Sequence, residues 1–258
     1  LFGLVKDVNS IYQEQAIYYY AYIAYLDKEY KIALTNFEKL KDSENYKASY
    51  PYYISAIYFL DKRYEDVIAY TIPAIANSKQ LNETEMLRII AASYFAKEDY
   101  KNAQKYLLFA AKEDGKDFDI LLMLGRAMLM NEDYQSADEF LQLAKELNPT
   151  DSRAYFYQGM ARSQIGDILG AAGSFNMCLK YDPENITAKY NRGLILLLIG
   201  NPEWALEDFE DVLKENPNHI EALARRGNAK IDIDDPTGCK DLREAAEKGS
   251  LYAKMNLE

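Results

Sequence analysis

The fold of this chain is decided between positions 152 and 219. The sequence there reads SRAYFYQGMARSQIGDILGAAGSFNMCLKYDPEN (152–185) and then ITAKYNRGLILLLIGNPEWALEDFEDVLKENPNH (186–219). Each run is 34 residues long, and the two align without a gap. The residues that recur at this spacing are Gly159 and Gly193, Ala171 and Ala205, and Pro183 and Pro217. Three residue types that keep one spacing indicate a structural repeat.

The same spacing extends towards both ends of the chain. Gly125 and Gly227 lie one period before and one period after the two glycines above. The predicted repeat units are 14–47, 48–83, 84–117, 118–151, 152–185, 186–219 and 220–249. We interpret residues 1–13 as the end of a preceding helix and residues 250–258 as a C-terminal capping helix.

Each unit contains two amphipathic segments of about a dozen residues, which is the length of an ordinary helix. Chain breakers separate the two, as at Gly166-Asp167. Asp182-Pro183 ends a second segment, because proline disfavours α geometry in the residue before it. One helix pair cannot bury its apolar face alone, so neighbouring pairs must stack. The sequence therefore predicts an all-α fold, an α-solenoid of stacked helix-turn-helix repeats.

The repeat resembles the tetratricopeptide repeat (TPR), whose pattern ends in Ala-x3-Phe followed by Pro. The matching residues of the 152–185 unit are Tyr155, Gly159, Ala171, Phe175 and Pro183. The resemblance covers residues 14–249. It implies a right-handed superhelix in which the first helix of each pair lines a concave groove, and it implies a protein or peptide partner.

Two local resemblances add to this one. The stretch AAEKG (245–249) is similar to the junction between Sel1-like repeats. The stretch PYYISAIYFLDKRY (51–64) resembles the tyrosine-rich first helices of TPR proteins of the bacterial cell envelope. The second resemblance implies an exported protein of the bacterial periplasm or cell envelope, with the cytoplasm as the alternative.

One stripe of each first helix lies about 100° from its packing face and would face the groove. Tyrosine, methionine and arginine on such a stripe are residue types enriched in binding surfaces. The partner-binding residues predicted on this stripe are Tyr18, Tyr19, Tyr22, Tyr25, Tyr52, Tyr53, Phe59, Arg88, Phe95, Arg126, Arg153, Phe156, Tyr157, Tyr190, Asn191, Arg225 and Asn228. We expect an extended or helical peptide there, partly apolar and compatible with acidic residues.

Composition excludes several classes of function. With 30 lysines and arginines against 41 acidic residues, the net charge of −11 disfavours a nucleic-acid partner. A single histidine and two cysteines argue against histidine-based catalysis and zinc binding. We therefore predict a non-catalytic protein with no metal site and no cofactor. No apolar run is long enough to span a membrane, so we predict no membrane insertion by this segment.

Two other functions stay open. Exposed tyrosine faces in the groove could bind carbohydrate or cell wall, and open repeat ends could support structural self-association. The carboxylate clamp of some TPR cochaperones is not predicted. Asn191 and Arg225 match two of its positions, but Phe156 and Met160 stand where a lysine and an asparagine are needed.

Two positions inside second helices carry separate predictions. Pro73 lies within a helical stretch, where proline predicts a kink or an altered superhelical pitch. Cys178 takes the place of a small packed residue, so we interpret it as part of the core.

Overall fold

The structure is a computed structural model that describes residues 12–77, 81–113 and 115–257. These residues form fifteen α-helices and one short 3-10 helix, Glu38–Leu40, and contain no strand. The α-helices are α1 (Gln13–Leu26), α2 (Tyr30–Phe37), α3 (Tyr50–Leu60), α4 (Tyr64–Asn77), α5 (Glu83–Ala96), α6 (Tyr100–Glu113), α7 (Phe118–Met130), α8 (Tyr134–Leu147), α9 (Ser152–Ile165), α10 (Ile168–Tyr181), α11 (Ile186–Leu198), α12 (Pro202–Glu215), α13 (Ile220–Asp232), α14 (Gly238–Glu247) and α15 (Leu251–Met255).

The described residues form two compact units, one ending at Ala127 and the other beginning at Met128. Within each unit, helices pack in chain order. In the first unit α1 packs on α2 and α5 on α6; in the second, α9 packs on α10 and α11 on α12. This packing confirms the predicted all-α fold of stacked helix-turn-helix repeats.

A tight turn with one residue in the left-handed region joins the two helices of each pair. The residues in this conformation are Lys28, Lys62, Glu98, Glu132, Gly166, Gly200 and Asp234, with φ between 58° and 83°. They recur at the repeat spacing. Glycine takes this conformation without a steric penalty, whereas each of the other five costs about 1 kcal/mol. The turn geometry therefore repeats even where its residue type does not.

Small and large residues lie together on the buried face of each second helix in the second unit. Ala171 and Ala205 are fully buried, as are Phe175 and Phe209 one turn further along α10 and α12. Cys178 is also fully buried, and its burial raises the pKa of the thiol to about 11. The interpretation of Cys178 as a core residue is thus confirmed.

Pro73 and the N-terminal segment are the two irregular parts of the repeat pattern. Helix α4 continues past Pro73 to Asn77; because proline lacks an N–H, the carbonyl of Ala69 receives no helical hydrogen bond from it. The predicted kink concerns the direction of the helix axis and stays a prediction. Of the predicted N-terminal segment 1–13, residues 1–11 lie outside the described residues.

Helix α15 lies in the segment 250–258, for which a capping helix was predicted. One of its first backbone N–H groups is satisfied locally, since the Ser250 hydroxyl accepts a hydrogen bond from the backbone N of Ala253 at 3.2 Å. None of the fifteen helices within the described residues combines the length and apolar character needed to cross a membrane.

Candidate functional site

In the first unit, the predicted groove tyrosines pack around Tyr53. Its ring is stacked on that of buried Phe37, with centroids 5.1 Å apart and an interplanar angle of 5°. The rings of Tyr22, Tyr25 and Tyr52 meet it edge-on, at centroid distances of 5.5, 5.3 and 5.2 Å. Tyr22, Tyr25 and Tyr53 therefore belong to the apolar packing of α1, α2 and α3.

Tyr18 is held in the same cluster by a residue from the loop after α2. Its ring is stacked on Tyr46, with centroids 4.6 Å apart and an interplanar angle of 21°. Its edge also contacts Phe37 at 6.1 Å. Tyr19 meets Tyr18 edge-on at 5.5 Å and remains 40% exposed. One face of Tyr18 is thus covered by the protein itself.

Burial keeps three hydroxyl groups of this tyrosine cluster uncharged. Burial is the main cause that raises the pKa of Tyr25, Tyr52 and Tyr53 above the ordinary value of 10.0. Neighbouring tyrosines raise the pKa of Tyr25 further, and Glu85 does so for Tyr52. All three hydroxyl groups therefore stay protonated at physiological pH.

Two predicted phenylalanines near the ends of first helices contact tyrosines that begin the next helix. Phe59 packs on Tyr64 at 5.8 Å and Phe95 on Tyr100 at 5.0 Å, measured between ring centroids. The Cζ atom of Arg126 lies 4.3 Å from the centroid of Phe95. These contacts stabilise the turns of the unit and hold the guanidinium against a ring.

Two other predicted arginines are paired with carboxylates. Arg88 lies 3.2 Å from Glu85 and 3.3 Å from Asp117. In the second unit, Arg153 Nη2 lies 2.7 Å from Asp151, and its Nε also donates to that carboxylate at 3.0 Å. A partner would have to compete with these ion pairs for either guanidinium.

The predicted aromatic residues of α9 and α11 pack on their own helix pairs. Phe156 contacts Phe175 at 6.2 Å and Tyr190 contacts Phe209 at 6.0 Å, so the same contact recurs one repeat later. Tyr157 meets Phe156 edge-on at 5.3 Å. These rings stabilise the helix pairs and leave only part of their surface accessible.

The structure brings two predicted residues, Arg225 and Asn228, into one cleft of the second unit. The cleft has a volume of 390 Å³ and is formed by α11, α13 and α15. Its lining residues are Leu194, Leu197, Leu198, Arg225, Asn228, Asp232 and Tyr252. Leu198 is 71% exposed, so one wall of the cleft is apolar and open. Asn191 is not among the lining residues, and its amide donates to the backbone carbonyl of Thr187 at 2.7 Å.

The polar side of this cleft is a chain of hydrogen bonds. The Tyr252 hydroxyl donates to Asn228 Oδ1 at 2.8 Å, and Asn228 Nδ2 donates to Asp232 Oδ2 at 2.8 Å. The guanidinium of Arg225 lies on the face of the Tyr252 ring, with Cζ 3.4 Å from the centroid. Tyr252 is therefore fixed both by a hydrogen bond and by a cation–π contact.

One buried donor of Arg225 has no acceptor. This atom, Nε, has no hydrogen-bond partner within residues 12–77, 81–113 and 115–257. The same guanidinium bonds the Tyr190 hydroxyl, which lowers the pKa of that group, although burial raises it more strongly. A buried N–H without an acceptor costs free energy, so an acceptor atom bound in the cleft would relieve that cost.

Sequence reasoning found the polar residues of α13 but missed other parts of the cleft. Tyr252 was placed in a capping segment with no binding role, and Asp232 and Leu198 were not singled out. The spacing of Asn228 and Asp232 at i and i+4 was an available signal. No local pattern indicates that α15 packs on α13, because that contact joins separate elements.

The cleft offers binding groups rather than reacting ones. It holds one guanidinium and one carboxylate beside three leucines. Throughout the described residues, no group of three or more His, Cys, Asp or Glu side chains is placed to hold a metal ion. The arrangement suits a ligand with a hydrogen-bond acceptor next to an aliphatic side chain.

Family models described as "Tetratricopeptide repeat" match residues 94–162 and 156–220. Together the two matches span just under half of the chain. No curated protein sequence matches it.

Solved structures with the same fold include a tetratricopeptide repeat protein from Parabacteroides merdae. It is 15% identical, with a TM-score of 0.64, over 95% of this chain and 97% of that one. YrrB, described as a TPR protein with an unusual peptide-binding site, is 26% identical, with a TM-score of 0.63, over 72% and 95% of the two chains. MamA is 24% identical, with a TM-score of 0.59, over 68% and 96%.

Proposed function

Because this chain is a tetratricopeptide repeat protein, we propose that it is a non-catalytic scaffold that binds a segment of a partner protein. The proposed contact is the cleft between α11, α13 and α15. The observation that carries the proposal is the buried, unpartnered Nε of Arg225 beside the exposed Leu198.

The chemistry of the cleft defines the kind of segment it would accept. A backbone carbonyl or a carboxylate of the partner would accept a hydrogen bond from Arg225 Nε after a shift of the side chains that cover this atom. An aliphatic side chain next to that acceptor would pack on Leu194, Leu197 and Leu198. The peptide-binding site in the description of YrrB, which is 26% identical, supports a peptide as the ligand class.

The carbohydrate alternative has less support, because stacking on sugars needs free ring faces. The face of Tyr53 is covered by Phe37 and that of Tyr18 by Tyr46. Self-association is a separate alternative, and the dependence of molecular mass on concentration would test it.

The proposal can be tested by selecting peptides from a displayed random library on the whole 258-residue chain. We expect the selected peptides to lose about tenfold or more in affinity for Leu198→Glu and for Arg225→Ala. Arg225→Lys keeps the charge but removes the Nε donor, so it should also weaken binding. Affinities would be measured by fluorescence anisotropy.

Leu169→Glu is the matched control, since Leu169 in α10 is 74% exposed, against 71% for Leu198. It should leave the affinities unchanged. The proposal would be contradicted if no selected peptide bound Leu198→Glu and Arg225→Ala more weakly than the unchanged chain.

A location in the bacterial cell envelope is a separate proposal, supported only by the tyrosine-rich stretch 51–64. Fractionation of cells that produce the native protein, followed by immunodetection, would test it. Recovery with the cytoplasmic fraction alone would overturn it.

A further inference from the structure

A second surface lies in the first unit, on α4, α5 and α6. An apolar slot of 290 Å³ opens there. Its floor is formed by Leu87 and Ile90 of α5, which are 5% and 0% exposed. The other lining residues are Ile72, Ile75 and Ala76 of α4, Glu83 of α5, and Tyr106, Phe109, Lys112 and Glu113 of α6. Three helices of the same unit therefore hold the slot in place.

Phe109 connects the slot to the outer face of α6. Its exposed fraction is 42%, and that of neighbouring Leu108 is 38%. Lys101, Lys105 and Lys112 line the adjoining surface, and we refer to these three as the lysine row. Together with Leu108 they follow the spacing i, i+4, i+7 and i+11, so they share one face of α6.

The lysine row is not neutralised by the protein. None of the ion pairs within the described residues involves Lys101, Lys105 or Lys112, whereas Lys97, just before α6, pairs with Glu65. Lys105 Nζ lies 5.4 Å from the ring centroid of Tyr106, and Lys112 Nζ lies 6.0 Å from that of Phe109. Unpaired cations beside exposed apolar side chains would attract a partner segment that is both acidic and apolar.

We propose that the slot and the lysine row form a docking surface for an acidic amphipathic helix of a partner protein. From Lys101 to Lys112 the row extends about 16 Å along α6, which is the length of three helical turns. An apolar side chain of the partner would enter the slot beside Phe109. Its carboxylates would then face the lysine row.

The slot favours a helix over an anionic membrane surface. Glu83 and Glu113 also line it. A bilayer rich in anionic lipid is negative over its whole area and would be repelled by these two carboxylates. A helix can place its acidic side chains on the lysine row alone, and it satisfies its own backbone hydrogen bonds.

The test uses the whole 258-residue chain and two displayed peptide libraries of about fourteen residues, which as a helix are about 21 Å long and so span the whole lysine row. Both fix apolar residues at i, i+3, i+4 and i+7. The other positions are Asp, Glu or Ala in one library and Lys, Arg or Ala in the other. We expect enrichment from the acidic library only, with affinity reduced about tenfold by Lys101→Glu/Lys105→Glu and by Phe109→Ser. Added salt should also weaken the binding of acidic peptides to the unchanged chain.

Two matched controls should leave this binding unchanged. Lys214→Glu changes an exposed lysine of α12, and Leu147→Ser changes a residue that is 42% exposed, as Phe109 is. Leu198→Glu, which alters the cleft of the second unit, should also have no effect. This surface and the cleft can therefore fail independently.

Three outcomes would overturn the proposal: enrichment from neither library, equal enrichment from both, or selected peptides that bind the double lysine variant normally. Vesicles of phosphatidylcholine with about 30% phosphatidylserine test the membrane alternative. Vesicle binding that the double variant abolishes, without enrichment of acidic peptides, would overturn the proposal in favour of a membrane surface.

Discussion

Gly159 of α9 lies directly against the ring of Phe175 in α10. A Cβ atom at position 159 would come within 2.8 Å of the ring. The same contact recurs between Gly193 and Phe209, where the distance would be 2.9 Å. Both glycines are thus needed for close helix approach, because the buried ring fills the space that a methyl group would occupy.

We therefore expect Gly159→Ala to lower the free energy of unfolding by about 1–3 kcal/mol through overpacking. Gly173→Ala is the control, because a Cβ at this helical glycine would have nothing within 4 Å. It should raise stability by about 0.5–1 kcal/mol, the usual gain of alanine over glycine inside a helix. Urea denaturation measures both, and equal effects would contradict the role given to Phe175.

The stacking of Tyr53 on Phe37 predicts that Tyr53 contributes to stability. Tyr53→Ala should lower the free energy of unfolding by about 2–3 kcal/mol, since it removes a ring from the core of the first unit. Tyr19→Ala should cost less than about 1 kcal/mol, because that ring is 40% exposed. Thermal unfolding of the two variants measures the difference. A cost at Tyr19 as large as that at Tyr53 would be inconsistent with the packing described here.

Two buried aspartates of the second unit have pKa values shifted in opposite directions. Burial alone would raise the pKa of Asp241, but hydrogen bonds from Arg226 and Lys230 outweigh it and bring the pKa below 3.8. For Asp208 the order is reversed: burial outweighs the hydrogen bonds from Arg192 and raises the pKa. Two cations donate hydrogen bonds to Asp241, whereas within the described residues only Arg192 does so to Asp208, which is also more deeply buried and is influenced by the like charge of Asp211.

These directions give opposite pH dependences. The folded-state pKa of Asp241 is lowered, so its stabilisation is full above the ordinary pKa and is lost as the pH falls through the folded value. The folded-state pKa of Asp208 is raised, so its contribution to stability is full below the ordinary pKa and is lost as the pH rises through the folded-state pKa. From about pH 5 to about pH 3, destabilisation by Asp241→Asn should shrink and that by Asp208→Asn should grow. Urea denaturation at each pH measures both effects. If the destabilisation by the two variants changed in the same direction with pH, the opposite pKa shifts of Asp208 and Asp241 would be wrong.

The two cysteines should differ in reactivity. Cys178 is buried with a raised pKa of about 11, whereas Cys239 is exposed, and both are free thiols. At about pH 8 a thiol reagent should therefore modify Cys239 alone, and Cys178 should react only after denaturation. Spectrophotometric thiol counting measures this. Rapid modification of both thiols in the folded chain would show that Cys178 is accessible.

The helices could be placed from the sequence because their signals are local. Helical periodicity and the breakers at Gly166 and Gly200 mark the start and end of each segment. The left-handed turns at Lys28, Glu98 and Glu132 gave no such signal, because lysine and glutamate rarely adopt that conformation unless the packed helices on both sides impose it.

The repeat period, the helix pairs and the residues on each first-helix stripe were determined by the sequence alone, since they depend on spacing along one helix. The tertiary structure decided which stripe residues keep an accessible polar or apolar face. Tyr18 is covered by Tyr46, whereas Arg225 is held on Tyr252 with one donor unused. Helical spacing fixes the direction in which a side chain points. Whether that side chain is buried depends on residues of other segments, which only the tertiary packing brings close to it.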